Sequence, residues 1–217
     1  MHSAFHLFFL PAGFLVGLVF HASLASAVIW IVLQTSQRGT LTGVTLSLGL
    51  ALAQSILALI ACALIFNLGT IGRVADPALR ILGCFLFLWM AFKVLRSPKI
   101  QSLDHSDLPA PSLKSLAGKT FRQSLTMPYR LAAWIALPVM LNIHLRSPGL
   151  LNAGLTAVGV FLAGLVWFLF FVCLTRLFFH RVPQAITLRS LNKLRLLSFA
   201  IFLGYAIIGI TPLFVRF

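Results

Sequence analysis

Few residues in this sequence have the means to bind a charged solute, and they sit inside apolar runs. Arg130 follows Met127, Pro128 and Tyr129, while His21 and Gln54 lie in two other runs. A guanidinium can hold a carboxylate through two parallel N–H bonds. Arg130 also stands only eight residues past Arg122. That is roughly 12 Å along a helix, so its other reading is a side chain that snorkels to lipid headgroups. Pro128 has no backbone N–H and loosens the helix around it, and a broken helix exposes backbone groups that can take a polar solute. The imidazole of His21 titrates near neutral pH and can accept a proton or contact a substrate; alternatively it bonds a neighbouring helix.

Gln54, Ser55, Asn67 and Asn142 offer amides and a hydroxyl that serve either as ligands or as contacts between helices. Trp30, Trp134 and Trp167 can stack on an ammonium group or anchor the bundle. The candidate substrate-binding set is therefore Arg130, Pro128, His21, Tyr129 and Gln54. Asp76, Asp104 and Asp107 are the only acidic residues, and none falls in the middle of an apolar run. A carboxylate proton relay is thus excluded, as is a carboxylate partner for a cationic substrate. Any coupling must use His21, backbone carbonyls or the membrane potential. There is no Walker-type glycine loop, His-Glu-x-x-His pair or serine elbow, so neither catalysis nor a metal or other cofactor is expected.

The elements that hold these residues follow from composition. Of 217 residues, 60% are hydrophobic and 9% charged, where a soluble domain carries about a quarter charged. The apolar residues come in long unbroken blocks, which places the chain in a lipid bilayer. The formal net charge of +14 does not indicate nucleic acid, because Lys and Arg collect between the blocks and not along one amphipathic face. Cys62, Cys84 and Cys173 lie in separate apolar runs without metal-ligand spacing and read as small core residues. Residues 23–27 resemble a signal-peptidase site. No basic residue precedes the run and it continues through Leu33, so a retained first span is expected.

Blocks of about 20 residues predict six spans near 11–33, 41–68, 79–95, 125–145, 150–174 and 197–213. They are too long and continuous for barrel strands, so the expected class is an all-α integral membrane protein. With six spans, one side receives twelve basic residues, in 34–40, around 93–122 and in 176–195, against four on the other. The positive-inside rule puts the richer side in the cytoplasm and both termini outside. The stretch 97–120, with Pro98, Pro109 and Pro111, reads as a cytoplasmic linker between halves at 1–96 and 121–217.

Residues 79–92 and 194–207 agree at six of fourteen positions, pairing Arg80 with Arg195. The openings of spans one and four echo each other through Phe14 and Phe121, a register that sets His21 opposite Pro128. Three spans per unit is an odd number, so a second unit inserts inverted, the plan of many secondary transporters.

Leu33-Gln34-Thr35-Ser36-Gln37-Arg38-Gly39, leading to Leu48-Gly49, resembles the first turn and second helix of the lysine-exporter (LysE/RhtB) superfamily of bacterial amino-acid exporters. Residues 79–96, 121–124 and 191–209 are similar to its third, fourth and last helices. The family's Pro-Gly-Pro-like break in helix one corresponds here to about Leu24-Ala25-Ser26. Its Asn-Pro-Lys in helix four corresponds to Met127-Pro128-Tyr129-Arg130. The resemblance implies a bacterial inner-membrane exporter of a small polar solute, a neutral or zwitterionic amino acid by default. Its partners would be that substrate and the lipid bilayer. A homodimer is compatible with the small residues at 43–49, which serve packing within one chain equally well. The altered break motifs also fit a degenerate, non-transporting subunit that binds a partner protein or lipid.

Overall fold

The computed structural model describes residues 8–67, 69–97, 112–140, 149–178 and 184–215; Asn142, Asp104 and Asp107 lie outside them. The regular elements among the described residues are eight helices: α1 (Phe9–Ala22), α2 (Ala25–Arg38), α3 (Thr40–Asn67), α4 (Gly69–Arg96), α5 (Leu113–Leu125), α6 (Pro128–Met140), α7 (Leu150–Phe178) and α8 (Gln184–Val215). Lipid leaves the backbone no other partner, and helices satisfy their own. Thr40–Ile65, Pro77–Arg96, Leu150–Phe178 and Arg189–Pro212 are each long and apolar enough to cross a membrane. The pair α1 and α2, bent by 74° at its break, passes the same test only when taken together, as a broken span or a re-entrant loop. The remaining predicted span, 125–145, is described to Met140 as the 13-residue α6.

The structure departs from the expected outline in three places. Span one is not continuous: the chain leaves helical geometry at Leu24 (φ −89°, ψ 58°). Neither Pro nor Gly causes this. The Ser23 hydroxyl turns back onto the Phe20 carbonyl at 2.6 Å, and the Ala25 amide that opens α2 donates to Ser198 Oγ of α8 at 3.1 Å. A hydroxyl on another helix thus caps the break. Secondly, the linker 97–120 gives up its last stretch to α5, whose N-cap Ser112 accepts from the Ser115 amide at 3.3 Å. Thirdly, the basic stretch before span six is largely helical. Its Arg195 is buried and donates to the carbonyls of Val94 and Leu95, each at 3.0 Å, and of Ser97. It thereby satisfies the free C-terminal carbonyls of α4.

Small residues decide which helices meet. A methyl group added at Gly13 would come within 2.3 Å of the Thr156 carbonyl oxygen, and one at Gly159 within 2.3 Å of the Leu10 carbonyl oxygen. So α1 and α7 approach backbone to backbone, the way helices associate where water supplies no driving force. Helix α7 also packs on α3, α5 lies on α3, and α4 pairs with α8. The half-helices α2 and α6 fill the middle, α2 against α3 and α7, α6 against α3 and α4. Gly43 faces Thr35 and Val172, and Gly49 faces Ala117; the 43–49 stretch therefore packs within the chain. Leu82, Phe85 and Leu150 are exposed on the outside, a surface suited to lipid tails. Between α2 and α3, Gly39 takes φ +88°, a backbone that favours a residue without Cβ.

Candidate solute-binding cavity

Both helix breaks place a helix start inside the bundle. Helix α5 ends at Leu125, Thr126 and Met127 interrupt, and α6 resumes with Pro128 at its first position, where a missing N–H costs nothing. Arg130, two residues on, is thereby carried into the protein, not along a continuous helix to the surface. It is 8% exposed and donates from Nη1 to Ser124 Oγ across the break. The same hydroxyl oxygen accepts from the Gln54 amide at 2.9 Å, and the Gln54 carbonyl oxygen accepts from Trp134 Nε1 at 2.8 Å. Four buried side chains from α3, α5 and α6 thus form one hydrogen-bonded chain, Trp134–Gln54–Ser124–Arg130. It fixes the guanidinium while leaving Arg130 Nε without a protein partner.

This chain closes the inner end of a cavity of about 1000 Å³ between α2 and α5. Exposed Ser115 and Lys119 and half-buried Arg38 line its outer part, and buried Ala27, Ser124 and Arg130 its inner part. Trp30, Gln34 and Gln123 stand along the walls. Gln34 is buried, and its amide oxygen has no partner among the described residues. The half-helices α2 and α6 both begin at the inner end, where Ser26, Ala27, Met127 and Arg130 contribute lining atoms. First-turn amides lack in-helix acceptors and carry the positive end of the helix dipole, so two such ends add to the Arg130 charge. Asp76 belongs to α4, and Asp104 and Asp107 precede α5, so no acidic residue comes from α2, α3, α5 or α6. The arrangement can receive an anionic group.

The five candidates separate on this geometry. Arg130 and Gln54 are joined through Ser124, and Arg130 lines the cavity. His21 lies behind them and does not line it. Its ring makes edge contact with Phe168 at 5.2 Å, and its neighbour Phe20 packs on Trp134 at 4.4 Å. His21 Nδ1 donates to the Gly17 carbonyl at 2.5 Å, which leaves Nε2 as a bare acceptor with no described partner. The space for the ring comes from Gly164, where an added methyl would sit 2.9 Å from His21 Nε2. Tyr129 turns to α4: its hydroxyl meets Met127 Sδ at 2.8 Å, and its ring covers Lys93 Nζ at 4.6 Å, which also lies 4.7 Å from the Trp89 ring. Pro128 is exposed and acts by starting α6.

Sequence reasoning passed over Ser124, the shared acceptor of the chain, and Gln34. Ser124 stood next to a break signal, Pro128, four residues on; nothing local marked Gln34, because its burial depends on how α2 leans after the bend.

No curated protein and no solved structure matches the chain. The family model "LysE type translocator" matches residues 19–208. That interval takes in every element from the end of α1 to the last turns of α8, with both breaks and the whole cavity. The chain belongs to the LysE type translocator family and is a multi-pass membrane transport protein.

Proposed function

We propose that this translocator exports a small polar solute, a neutral or zwitterionic amino acid, across a bacterial inner membrane by alternating access. The observation that carries the reading is the inner end of the α2–α5 cavity. There a buried guanidinium with no acidic residue in the surrounding helices is held by Ser124 and Gln54. Such a group gains most from an incoming carboxylate, since a buried cation without a counter-charge is costly. Gln34 offers a free amide oxygen for the ammonium of the same solute. By the positive-inside rule the wide end of the cavity, with Arg38 and Lys119, opens to the cytoplasm. That is the loading state of an exporter.

The packing supports two inverted three-helix units. Exchanging α1 with α5, α2 with α6, α3 with α7 and α4 with α8 maps the α1–α7 contact onto α5–α3, and α4–α6 onto α8–α2; all four contacts are present. Along the antiparallel α4–α8 pair, Arg195 meets Val94, Phe87 stacks on Phe202 at 6.0 Å, and Cys84 reaches the Ala206 carbonyl. The internal repeat at 79–92 and 194–207 aligns Phe87 with Phe202, so each stacks on its own repeat mate, as residues on a pseudo-two-fold axis do. The alternative, a degenerate subunit, drew on the loss of the helix-one break motif and on the missing acidic groups; the 74° bend speaks against the first of these.

The test is efflux of labelled amino acids from loaded cells or vesicles. Losing a charge-assisted bidentate contact costs about ten- to a hundredfold in transport efficiency, so Arg130→Ala falls by that much and Arg130→Lys by less. Efflux that survives Arg130→Ala unchanged removes Arg130 from the site. Absence of any amino-acid efflux from a well-inserted protein sinks the exporter reading itself.

A further inference from the structure

A zwitterionic head group accounts for Arg130 and the Gln34 oxygen. It does not use the cavity's other two cations, Arg38 and Lys119, which the positive-inside rule places at the cytoplasmic end. Both line the outer part of the cavity that Arg130 closes, and no acidic side chain is among the lining residues. Lys119 belongs to α5, the helix whose Ser124 holds the Arg130 guanidinium. Two further cationic residues therefore line the same cavity as Arg130, where a solute's second anionic group could meet them.

We propose that the cavity selects amino acids with a second carboxylate, with Arg130 taking the α-carboxylate and Lys119 and Arg38 the side-chain carboxylate. This rests on the exporter reading and narrows its substrate to the acidic class. Cationic amino acids are rejected, because among the described lining residues three carry positive charge and none negative. The discrimination between an acid and its isosteric amide resides in the outer pair of cations, which a neutral side chain does not engage.

The experiment measures export of labelled glutamate, glutamine and lysine from the same loaded cells, for wild type and for Lys119→Gln with Arg38→Gln. Glutamate is exported about tenfold or more in preference to glutamine, the effect of one charge-assisted contact, and lysine is not exported. In the double variant the glutamate-to-glutamine ratio falls to near one. Equal export of glutamate and glutamine by the wild type overturns the second-carboxylate site while leaving the exporter reading intact. An unchanged ratio in the double variant overturns the assignment to Lys119 and Arg38. Export of none of the three while another amino acid such as leucine is exported overturns the second-carboxylate site alone. Export of no amino acid, with the purified protein stabilised by anionic lipid and not by glutamate, overturns both readings and makes the basic passage a lipid site. Thermal stability of the detergent-solubilised double variant, measured alongside, separates a lost contact from a lost fold.

Discussion

Replacing Gln54 with Leu tests the hydrogen-bonded chain at its centre. The side chain is fully buried and uses both ends of its amide, donating to Ser124 at 2.9 Å and accepting from Trp134 at 2.8 Å. Leu fills nearly the same volume, so the change removes two hydrogen bonds and leaves little cavity. Ser124 keeps Arg130 as a donor, but the Trp134 N–H is stranded. An unpaired buried donor costs about 1–3 kcal/mol in proteins generally, whereas hydrogen bonds between helices in a membrane average about 0.6 and reach about 1.7 kcal/mol. We expect Gln54→Leu to destabilise by about 1–2 kcal/mol on these scales. Trp134→Phe removes the stranded N–H, so the double variant is more stable than the two single losses added together. The coupling is about 0.6–1.7 kcal/mol, read by reversible unfolding of the detergent-solubilised protein in an SDS titration. Non-neighbours add within about 0.3–0.5 kcal/mol; a coupling inside that band means Gln54 and Trp134 do not interact in the folded protein, and the account of how Arg130 is positioned fails.

Three further outcomes follow from the packing. Gly164→Val presses on His21 Nε2 and on Ala51, which an added methyl would meet at 2.9 and 3.0 Å; overpacking of this kind costs about 1–3 kcal/mol, and His21→Ala in the same chain restores part of it, as a shift in thermal midpoint. Gly13→Leu drives a side chain into the Thr156 backbone, and the variant is not recovered as a monodisperse species by size exclusion. Ser198→Ala strands the Ala25 amide at the helix-one break; the loss is about 1 kcal/mol, and hydrogen exchange at Ala25 quickens while exchange in the middle of α7 does not.

The membrane class and the location of most helices were legible in the sequence, because long apolar blocks are visible without tertiary contacts; that Arg130 is buried beside a helix break depends on packing the sequence does not display. The full length of α8 was not legible either. A window containing Arg189, Lys193 and Arg195 scores as loop, and only the α4 carbonyls that receive Arg195 make a helix there favourable. Helix α5 was hidden similarly: Lys119, Arg122 and Gln123 gave it linker composition, while Leu116 and Ser124 bury its other face. The proposed repeat allows two registers at helix one. Matching Phe14 to Phe121 set His21 against Pro128, whereas matching the two breaks sets His21 against Ser124. Phenylalanines are interchangeable on a lipid-exposed helix; breaks are not.

A helix break can be specified in two ways, and this chain uses both. At the second break Pro128 acts through its own covalent structure, lacking an N–H and starting α6 wherever it stands. At the first, no residue between 22 and 25 has that property, and the bend depends on partners: the Ser23 hydroxyl on its own helix and the Ser198 hydroxyl on α8. Such a break is conditional on the packing of the last helix against the first. Any motion that separates α8 from α2 removes the cap from the Ala25 amide and favours straightening of α1 into α2, whereas the proline break is indifferent to it. Under the alternating-access mechanism proposed above, the half carrying the conditional break is the one expected to change, while the proposed solute contact Arg130 sits beside the proline break.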